Sequence, residues 1–146
     1  TAPNFHLENR RKITRMKLGQ TVPDFSLSDL EGNMIGREFF SDRPSIAFFV
    51  PTTCSFCAEV IDHLRIWEAS AEKNGYNAIV FSDGDPDLHR SYGLKTPIVL
   101  DKDYKVSANI GMFGAPCALL IDEEGRVASE TATGSPMIWS LVGKEI

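Results

Sequence analysis

Three cysteines, Cys54, Cys57 and Cys117, are the residues in this 146-residue sequence whose types and spacing suggest chemistry. Cys54 and Cys57 form a Cys-x-x-Cys pair, and three cysteines are too few, and odd in number, for a disulfide framework. The thiolate is the nucleophile of disulfide exchange. A second thiol three residues along a helix lies on the same face and can resolve the mixed disulfide. The pair therefore predicts redox chemistry, with Cys54 as the exposed nucleophile and Cys57 as the buried resolving thiol.

The elements around this pair favour a thiolate at Cys54. Residues 45–50 form a short continuous apolar run, typical of a strand buried on both faces, and Pro51 ends it. Apolar residues then recur every three or four positions over residues 55–74, which predicts a helix capped by Gly75. Cys54 therefore stands where the predicted helix begins, and the unpaired N–H groups and the dipole there stabilise a negative charge.

The rest of the chain alternates strand and helix patterns, which predicts an α/β domain with a mostly parallel centre. Apolar residues on both sides of the turn at residues 31–33 predict an N-terminal β-hairpin. The turn at Gly125 adds an antiparallel hairpin near the end, so the predicted sheet is mixed. Further predicted strands cover residues 78–81, 98–100, 118–121 and 127–131, and further predicted helices cover residues 85–92, residues 104–110 and a last segment from Ser135 onward.

Composition narrows the kinds of partner. The net charge is −5, with 42% hydrophobic and 24% charged residues, which is the balance of an ordinary globular domain. An acidic chain disfavours nucleic acid as a partner, and no apolar run approaches the ~18 residues that span a membrane. Residues 1–17 carry five basic side chains and are predicted to be a basic, flexible leader, with the domain in residues 18–146. A membrane anchor removed before Thr1 is compatible with the sequence.

Together these segments resemble the thioredoxin-like superfamily. The order of strand, Cys54-Ser55-Phe56-Cys57 and helix is similar to thioredoxin. Residues 19–27 resemble the start of the TlpA-like and AhpC/TSA (redoxin) branch, and residues 83–101 match the helix and strand that this branch inserts. The resemblance implies a thioredoxin fold and a thiol–disulfide oxidoreductase. Within the branch the chain most resembles membrane-anchored, extracytoplasmic proteins, including the MauD type.

The resemblance also assigns a role to a segment far from the cysteines. Gly114-Ala115-Pro116, followed by a strand and a turn, is similar to the cis-proline loop of the family. Ala115 and Pro116 are therefore expected to bind the extended chain of a partner. The resemblance implies a protein disulfide or dithiol substrate, a redox partner protein, no cofactor and no metal. The expected location is extracytoplasmic, on the periplasmic side, and a cytoplasmic location stays open.

Several residues near the predicted site depart from thioredoxin. Thr53 replaces the usual tryptophan before the first cysteine, Phe48 replaces a proton-handling aspartate, and Ser-Phe replaces Gly-Pro between the cysteines. These departures leave the redox potential and the direction of electron flow open, and Thr53 is a possible accessory residue of the site. Glu59 is either a proton shuttle or a solvated helix carboxylate. Cys117 is either a small buried apolar residue or a third reactive thiol, depending on which face of its strand it occupies.

Two other classes of function stay open at this point. A metal-binding or redox-inactive binding module is the first, although a closed zinc site needs four ligands and the three histidines show no ligand spacing. A peroxiredoxin-like peroxidase is the second. Its Pro-x-x-x-Thr-x-x-Cys motif is absent, because Ala47 and Pro51 occupy the matching positions before Cys54.

Overall fold

The computed structural model describes residues 16–52, 56–70, 75–112 and 114–144. The strands in this part of the chain are β1 (Ser26–Ser28), β2 (Met34–Gly36), β3 (Ser45–Phe49), β4 (Asn77–Ser82), β5 (Ile98–Leu100), β6 (Cys117–Ile121) and β7 (Ala132–Thr133). The α-helices are α1 (Cys57–Glu68), α2 (Pro86–Arg90), α3 (Lys105–Ile110) and α4 (Ser135–Ser140), and short 3-10 helices cover Arg37–Phe40 and Lys102–Tyr104. Of the predicted leader, residues 1–15 lie outside the described residues.

The central sheet has the strand order β5-β4-β3-β6-β7. Strands β3, β4 and β5 run parallel, while β6 is antiparallel to β3 and β7 is antiparallel to β6. The predicted mixed sheet flanked by helices is therefore confirmed. Strands β4 and β5 each follow a helix and run parallel to β3, β6 returns antiparallel beside β3, and the turn at Gly125 leads from β6 to β7.

Alternation along the strands divides the core between the two faces of the sheet. On β3, Ile46 and Phe48 belong to one buried cluster together with residues of α1 and α4. Ala47 and Phe49 belong to a second cluster, which includes Ile110 of α3. All of β3 is buried because both faces are covered, which explains its continuous apolar sequence.

The N-terminal hairpin predicted from its turn is present as β1 and β2. Its turn is held by the carboxylate of Asp29, which accepts hydrogen bonds from the backbone N–H groups of Glu31 and Asn33. Asp29 also forms an isolated antiparallel bridge to Val99 of β5. The hairpin thereby covers part of the edge of the central sheet, where unpaired strand groups would otherwise be exposed.

The structure corrects two predicted boundaries. The helix predicted over residues 55–74 begins at Cys57 and ends at Glu68, with Ala69 rather than Gly75 in the C-cap position. The hydroxyl of Ser70 donates to the carbonyl of Trp67, a side-chain bond that competes with helix continuation. Residues 71–74 lie outside the described residues.

The strand predicted over residues 127–131 is displaced, because the strand found there, β7, covers Ala132–Thr133. Val127 forms only an isolated bridge to Ile121, and regular pairing resumes at β7. Between them the hydroxyl oxygen of Ser129 accepts the N–H of Leu120, so that a side chain takes the place of a backbone carbonyl in the ladder. No helix within the described residues is long and apolar enough to cross a membrane.

Candidate active site

One edge of the central sheet gathers the segments predicted to carry chemistry. Phe49 at the carboxyl end of β3 pairs with Phe81 near the carboxyl end of β4 and with Cys117 at the amino end of β6. The segment leading from β3 toward the cysteines, the end of β4 and the Ala115–Pro116 loop therefore lie at the same edge. The antiparallel placement of β6 beside β3 is what brings the proline loop to this position.

Cys57 is the first residue of α1 and is 4% exposed. It is disulfide-bonded, so the structure represents an oxidised form of this residue. Its side chain belongs to the cluster on the α1 face of the sheet, with Phe48, Val60 and Ala118 among its members. The burial expected for a resolving cysteine is thus present. Thr53, Cys54 and Ser55 lie outside the described residues, so the roles assigned to Thr53 and Cys54 stay predictions.

The residue at the N-cap position of α1 is apolar. Phe56 occupies the N-cap position and provides no side-chain hydrogen bond to the first turn. The first N–H groups of an α-helix have no partners within the helix, and the helix dipole adds partial positive charge there. This end of α1 therefore favours a neighbouring anion such as a thiolate. The ring of Phe56 is 75% exposed and presents a large apolar surface beside Cys57.

Phe48 takes the position for which the resemblance implied an aspartate in thioredoxin. It is fully buried in the same cluster as Cys57, and its ring centroid lies 5.5 Å from that of Trp139. The residue beneath the site is therefore an aromatic ring with no ionisable group. A proton lost by Cys57 must consequently leave by a route that does not use a carboxylate at position 48.

The peptide bond between Ala115 and Pro116 is cis, the geometry that the resemblance implied for this position. Pro116 is buried, and its carbonyl accepts the N–H of Gly134 just before α4. Ala115 is half-buried and packs against the clusters on both faces of the sheet. The binding of a partner chain to Ala115 and Pro116 stays a prediction.

Apart from Thr53, the possible accessory residues are Cys117 and Glu59, and they occupy different environments. Cys117 is a fully buried thiol in the cluster with Phe49 and Leu119, on the face of the sheet opposite to the cluster of Cys57. The sequence did not decide which face of β6 carries Cys117. In the structure its side chain faces away from the α1 side. Glu59 lies on the outer side of α1, 63% exposed, with an oxygen 3.7 Å from Nε2 of His63.

A groove of about 250 Å³ opens beside Cys57, between α1 and the segment that follows α2. Its floor and walls include Pro51, Thr52, Ile61 and Tyr92. Burial raises the pKa of the Tyr92 hydroxyl. Nε of Arg65 donates a hydrogen bond of 2.9 Å to the carbonyl of Tyr92, so α1 and the inserted segment are tied together along the groove.

His89 has a place in this region that the sequence did not reveal, where it was one of three histidines without metal-ligand spacing. The side chain is 1% exposed, and both ring nitrogens lie within hydrogen-bond distance of oxygen atoms. The sequence did contain one signal for this contact. A helix that starts at Asp85-Pro86 places His89, four positions after the N-cap, on the same face as Asp85. Among the described residues no group of three or more His, Cys, Asp or Glu side chains is arranged to hold a metal ion.

Comparison with known proteins agrees with this geometry. The model of the AhpC/TSA family matches residues 18–130. The thiol-disulfide oxidoreductase ResA of Bacillus thuringiensis subsp. konkukian is 26% identical over 124 residues, covering 82% of this chain and 72% of ResA. The methylamine utilization protein MauD of Paracoccus versutus is 31% identical over 122 residues, covering 81% of this chain and 60% of MauD.

A solved structure supports the fold independently of sequence. The putative thiol:disulfide interchange protein DsbE from Chlorobium tepidum superposes with a TM-score of 0.72 at 17% sequence identity, covering 88% of this chain and 99% of that protein. The superposition shows the thioredoxin-like fold. The sequence relatives and the family match supply the assignment of activity. The chain belongs to the AhpC/TSA family and is a thiol–disulfide oxidoreductase with a thioredoxin-like fold.

Proposed function

We propose that Cys54 and Cys57 are the redox couple of this oxidoreductase and exchange a disulfide with a protein partner. The observation that carries the proposal is the state of Cys57, a buried, disulfide-bonded cysteine at the start of α1 and beside an open groove. Cys117 is a thiol on the other face of the sheet, which supports Cys54 as the partner of Cys57.

In the reducing direction the exchange takes two steps. The Cys54 thiolate attacks one sulfur of the partner's disulfide, that S–S bond breaks, and the departing partner thiolate takes up a proton. Cys57 then gives up its proton and attacks the Cys54 sulfur of the mixed disulfide. A Cys54–Cys57 disulfide forms, and the partner leaves as a dithiol that has gained two electrons. The oxidising direction reverses the same steps.

Binding of the partner is proposed to use the Ala115–Pro116 loop and the surface around Phe56. The loop lies at the same sheet edge as the segment leading to the cysteines, and Phe56 is an exposed aromatic ring beside Cys57. An exposed apolar ring next to a reactive disulfide suits a partner that offers an apolar surface around its own cysteines. The partner is accordingly proposed to be a protein, with no cofactor required.

We also propose that the protein works outside the cytoplasm, on the periplasmic side, with residues 1–17 as a basic leader before the domain. The resemblance to membrane-anchored, extracytoplasmic members of the branch supports this location. Labelling of intact cells with a membrane-impermeant thiol reagent tests it. Modification of the reduced protein in intact cells is expected, and modification only after lysis would contradict the location.

Insulin reduction and trapping of a mixed disulfide test the assigned cysteines. Cys54→Ser is expected to abolish insulin reduction, whereas Cys57→Ser is expected to accumulate a covalent adduct through Cys54. Cys117→Ser is the matched control that removes a cysteine without touching the couple. An adduct that forms through Cys117, or activity that survives Cys54→Ser, would contradict the assignment. Metal bound in one-to-one ratio after anaerobic purification, and lost in Cys54→Ser, would favour the metal-binding alternative.

A further inference from the structure

A chain of buried hydrogen bonds leads from His89 toward the active-site segment. Nδ1 of His89 lies 2.7 Å from the carbonyl oxygen of Asp85, and Nε2 lies 2.8 Å from Oγ of Ser82. The Ser82 hydroxyl donates in turn to the carbonyl of Val50, at 2.9 Å. His89 and Ser82 are 1% and 0% exposed, so these hydrogen bonds are shielded from bulk solvent.

This series of hydrogen bonds ends at Val50, where β3 ends and the segment that carries the cysteines begins. Val50 follows β3 directly, and Pro51 and Thr52 after it line the groove beside Cys57. Thr52 makes a second tie to the same loop, because its hydroxyl donates to the carbonyl of Asp83 at 3.3 Å. Residues 50–52 are therefore held at two successive points by the end of β4 and the loop after it.

A glycine lets the two segments approach this closely. Gly84 has a φ of +115°, and a Cβ atom added there would lie 3.1 Å from Oγ1 of Thr52 and 3.9 Å from Cε1 of His89. The left-handed backbone and the short distance both favour glycine at this position. Thr52, Gly84 and His89 thus form one packed contact between the inserted segment and the approach to the cysteines.

We propose that His89 is a positioning residue of the thiol–disulfide site, which holds the Val50–Thr52 segment through the Ser82 hydroxyl. The inference rests on the proposed function of Cys54 and Cys57. The carbonyl of Asp85 can only accept a hydrogen bond, so Nδ1 of His89 donates to it. Because the single proton of the Ser82 hydroxyl goes to Val50, Nε2 donates to the Ser82 oxygen. The fixed Ser82 hydroxyl then holds the Val50 carbonyl, and through it the backbone that leads to Cys54.

Two substitutions of His89 test its two hydrogen bonds separately, because each is designed to keep only one of them. The side-chain amide of His89→Gln reaches as far as Nε2, so it can keep the bond to Ser82 while it loses the bond to Asp85. The shorter amide of His89→Asn matches Nδ1 and keeps the bond to Asp85, but it falls short of Ser82. A role in positioning the site requires the bond to Ser82, whereas a role in holding α2 in place requires the bond to Asp85. Ser82→Ala removes the link to Val50 directly.

The experiment compares the reactivity of the reduced cysteines in these variants without any partner protein. Each reduced protein is treated with iodoacetamide, whose iodide is displaced as a cysteine thiolate forms the S–C bond, and mass spectrometry identifies the cysteine modified. Thermal unfolding of each variant is measured in parallel. We expect His89→Asn and Ser82→Ala to react about five- to tenfold more slowly at Cys54 than wild type, the factor that corresponds to the loss of one net hydrogen bond. His89→Gln is expected to retain most of the wild-type rate.

The outcomes are distinct. Unchanged Cys54 reactivity in His89→Asn and Ser82→Ala, or equal losses in His89→Gln and His89→Asn, would overturn the positioning role. A fall in melting temperature with no change in reactivity would show that His89 serves only the stability of the fold. A wild-type protein that reacts at Cys54 but exchanges with no protein disulfide would overturn the proposed function, and the comparison of alkylation rates would still decide the role of His89.

Discussion

Phe48 packs against Trp139, with their ring centroids 5.5 Å apart, on the same face of the sheet as Cys57. The ring centroid of Trp139 lies 5.7 Å from that of Trp67 of α1. Three buried rings therefore join β3, α4 and α1, the helix that begins at Cys57. Aromatic pairs at such distances add favourable contacts to the area they bury. The core beside Cys57 is therefore an aromatic cluster. It includes Phe48, at the position for which the resemblance implied an aspartate.

Phe48→Ala is expected to destabilise the protein strongly. The side chain is fully buried, and a phenylalanine truncated to alanine in a core costs about 3–5 kcal/mol, because burial is lost and a cavity remains. Urea unfolding measures this change. Phe56→Ala is the matched control, since the ring of Phe56 is 75% exposed and its loss should change stability by less than about 0.5 kcal/mol. Similar losses in the two variants would contradict the burial difference.

Glu68→Gln is expected to loosen the inserted segment before β5. The carboxylate of Glu68 accepts hydrogen bonds from the N–H of Lys95, and from both the N–H and the hydroxyl of Thr96, over 2.6–3.0 Å. Bonds to a charged group contribute about 1.5–3 kcal/mol each, and the neutral amide weakens them without removing all acceptors. We therefore expect a loss of roughly 1–3 kcal/mol in unfolding free energy and faster amide exchange at Lys95 and Thr96.

Glu59→Gln serves as the control for that experiment. Glu59 lies on the same helix but is 63% exposed, and an exposed side chain of this kind contributes within about ±0.5 kcal/mol. A larger loss of stability in Glu59→Gln than in Glu68→Gln would contradict the proposed anchoring of the segment.

Local sequence patterns predicted the elements that carry the site. The apolar run of β3 and the three-to-four-residue periodicity of α1 are consequences of burial within a single element, and both elements lie within the predicted ranges. The exact end of α1 was not predictable from periodicity. The helix ends beside a hydrogen bond from the Ser70 hydroxyl to the carbonyl of Trp67, and the apolar periodicity contains no signal for that bond.

The features that depend on register and distant contacts were not predictable. The face of the sheet that Cys117 occupies depends on how β6 aligns with β3, and a shift of one residue would exchange the two faces. The contact of Ser82 with Val50 joins residues 32 positions apart. A single sequence contains no signal for that pairing, so His89 could not be connected with the active-site segment before the fold was known.

Cys117→Ala is expected to leave the rate of insulin reduction within about twofold of wild type, and to lower stability by about 1 kcal/mol. The reason is its position, since the thiol is buried among apolar residues on the face of the sheet opposite to Cys57. Steady-state insulin reduction and urea unfolding measure the two effects. A loss of turnover as large as that of Cys57→Ala would restore Cys117 as a participant in the exchange.

Tyr104 is expected to make the protein less stable at alkaline pH. Burial raises the pKa of its hydroxyl, and the nearby carboxylates of Asp83 and Asp101 raise the pKa further. A raised pKa in the folded state means that the unfolded chain loses this proton first as the pH rises. The stabilisation is therefore complete below the ordinary value of about 10, and it is lost as the pH rises through the folded pKa.

Tyr104→Phe tests this expectation, because it keeps the ring that lies 5.1 Å from Phe49 and removes the ionisable hydroxyl. Urea unfolding of both proteins is compared at about pH 8 and at about pH 10.5, on either side of the unfolded pKa of tyrosine. The wild type should lose more stability over this interval than Tyr104→Phe does. Equal losses would mean that the burial of Tyr104 and its two neighbouring carboxylates do not control its ionisation, and a smaller loss in the wild type would reverse the predicted sign.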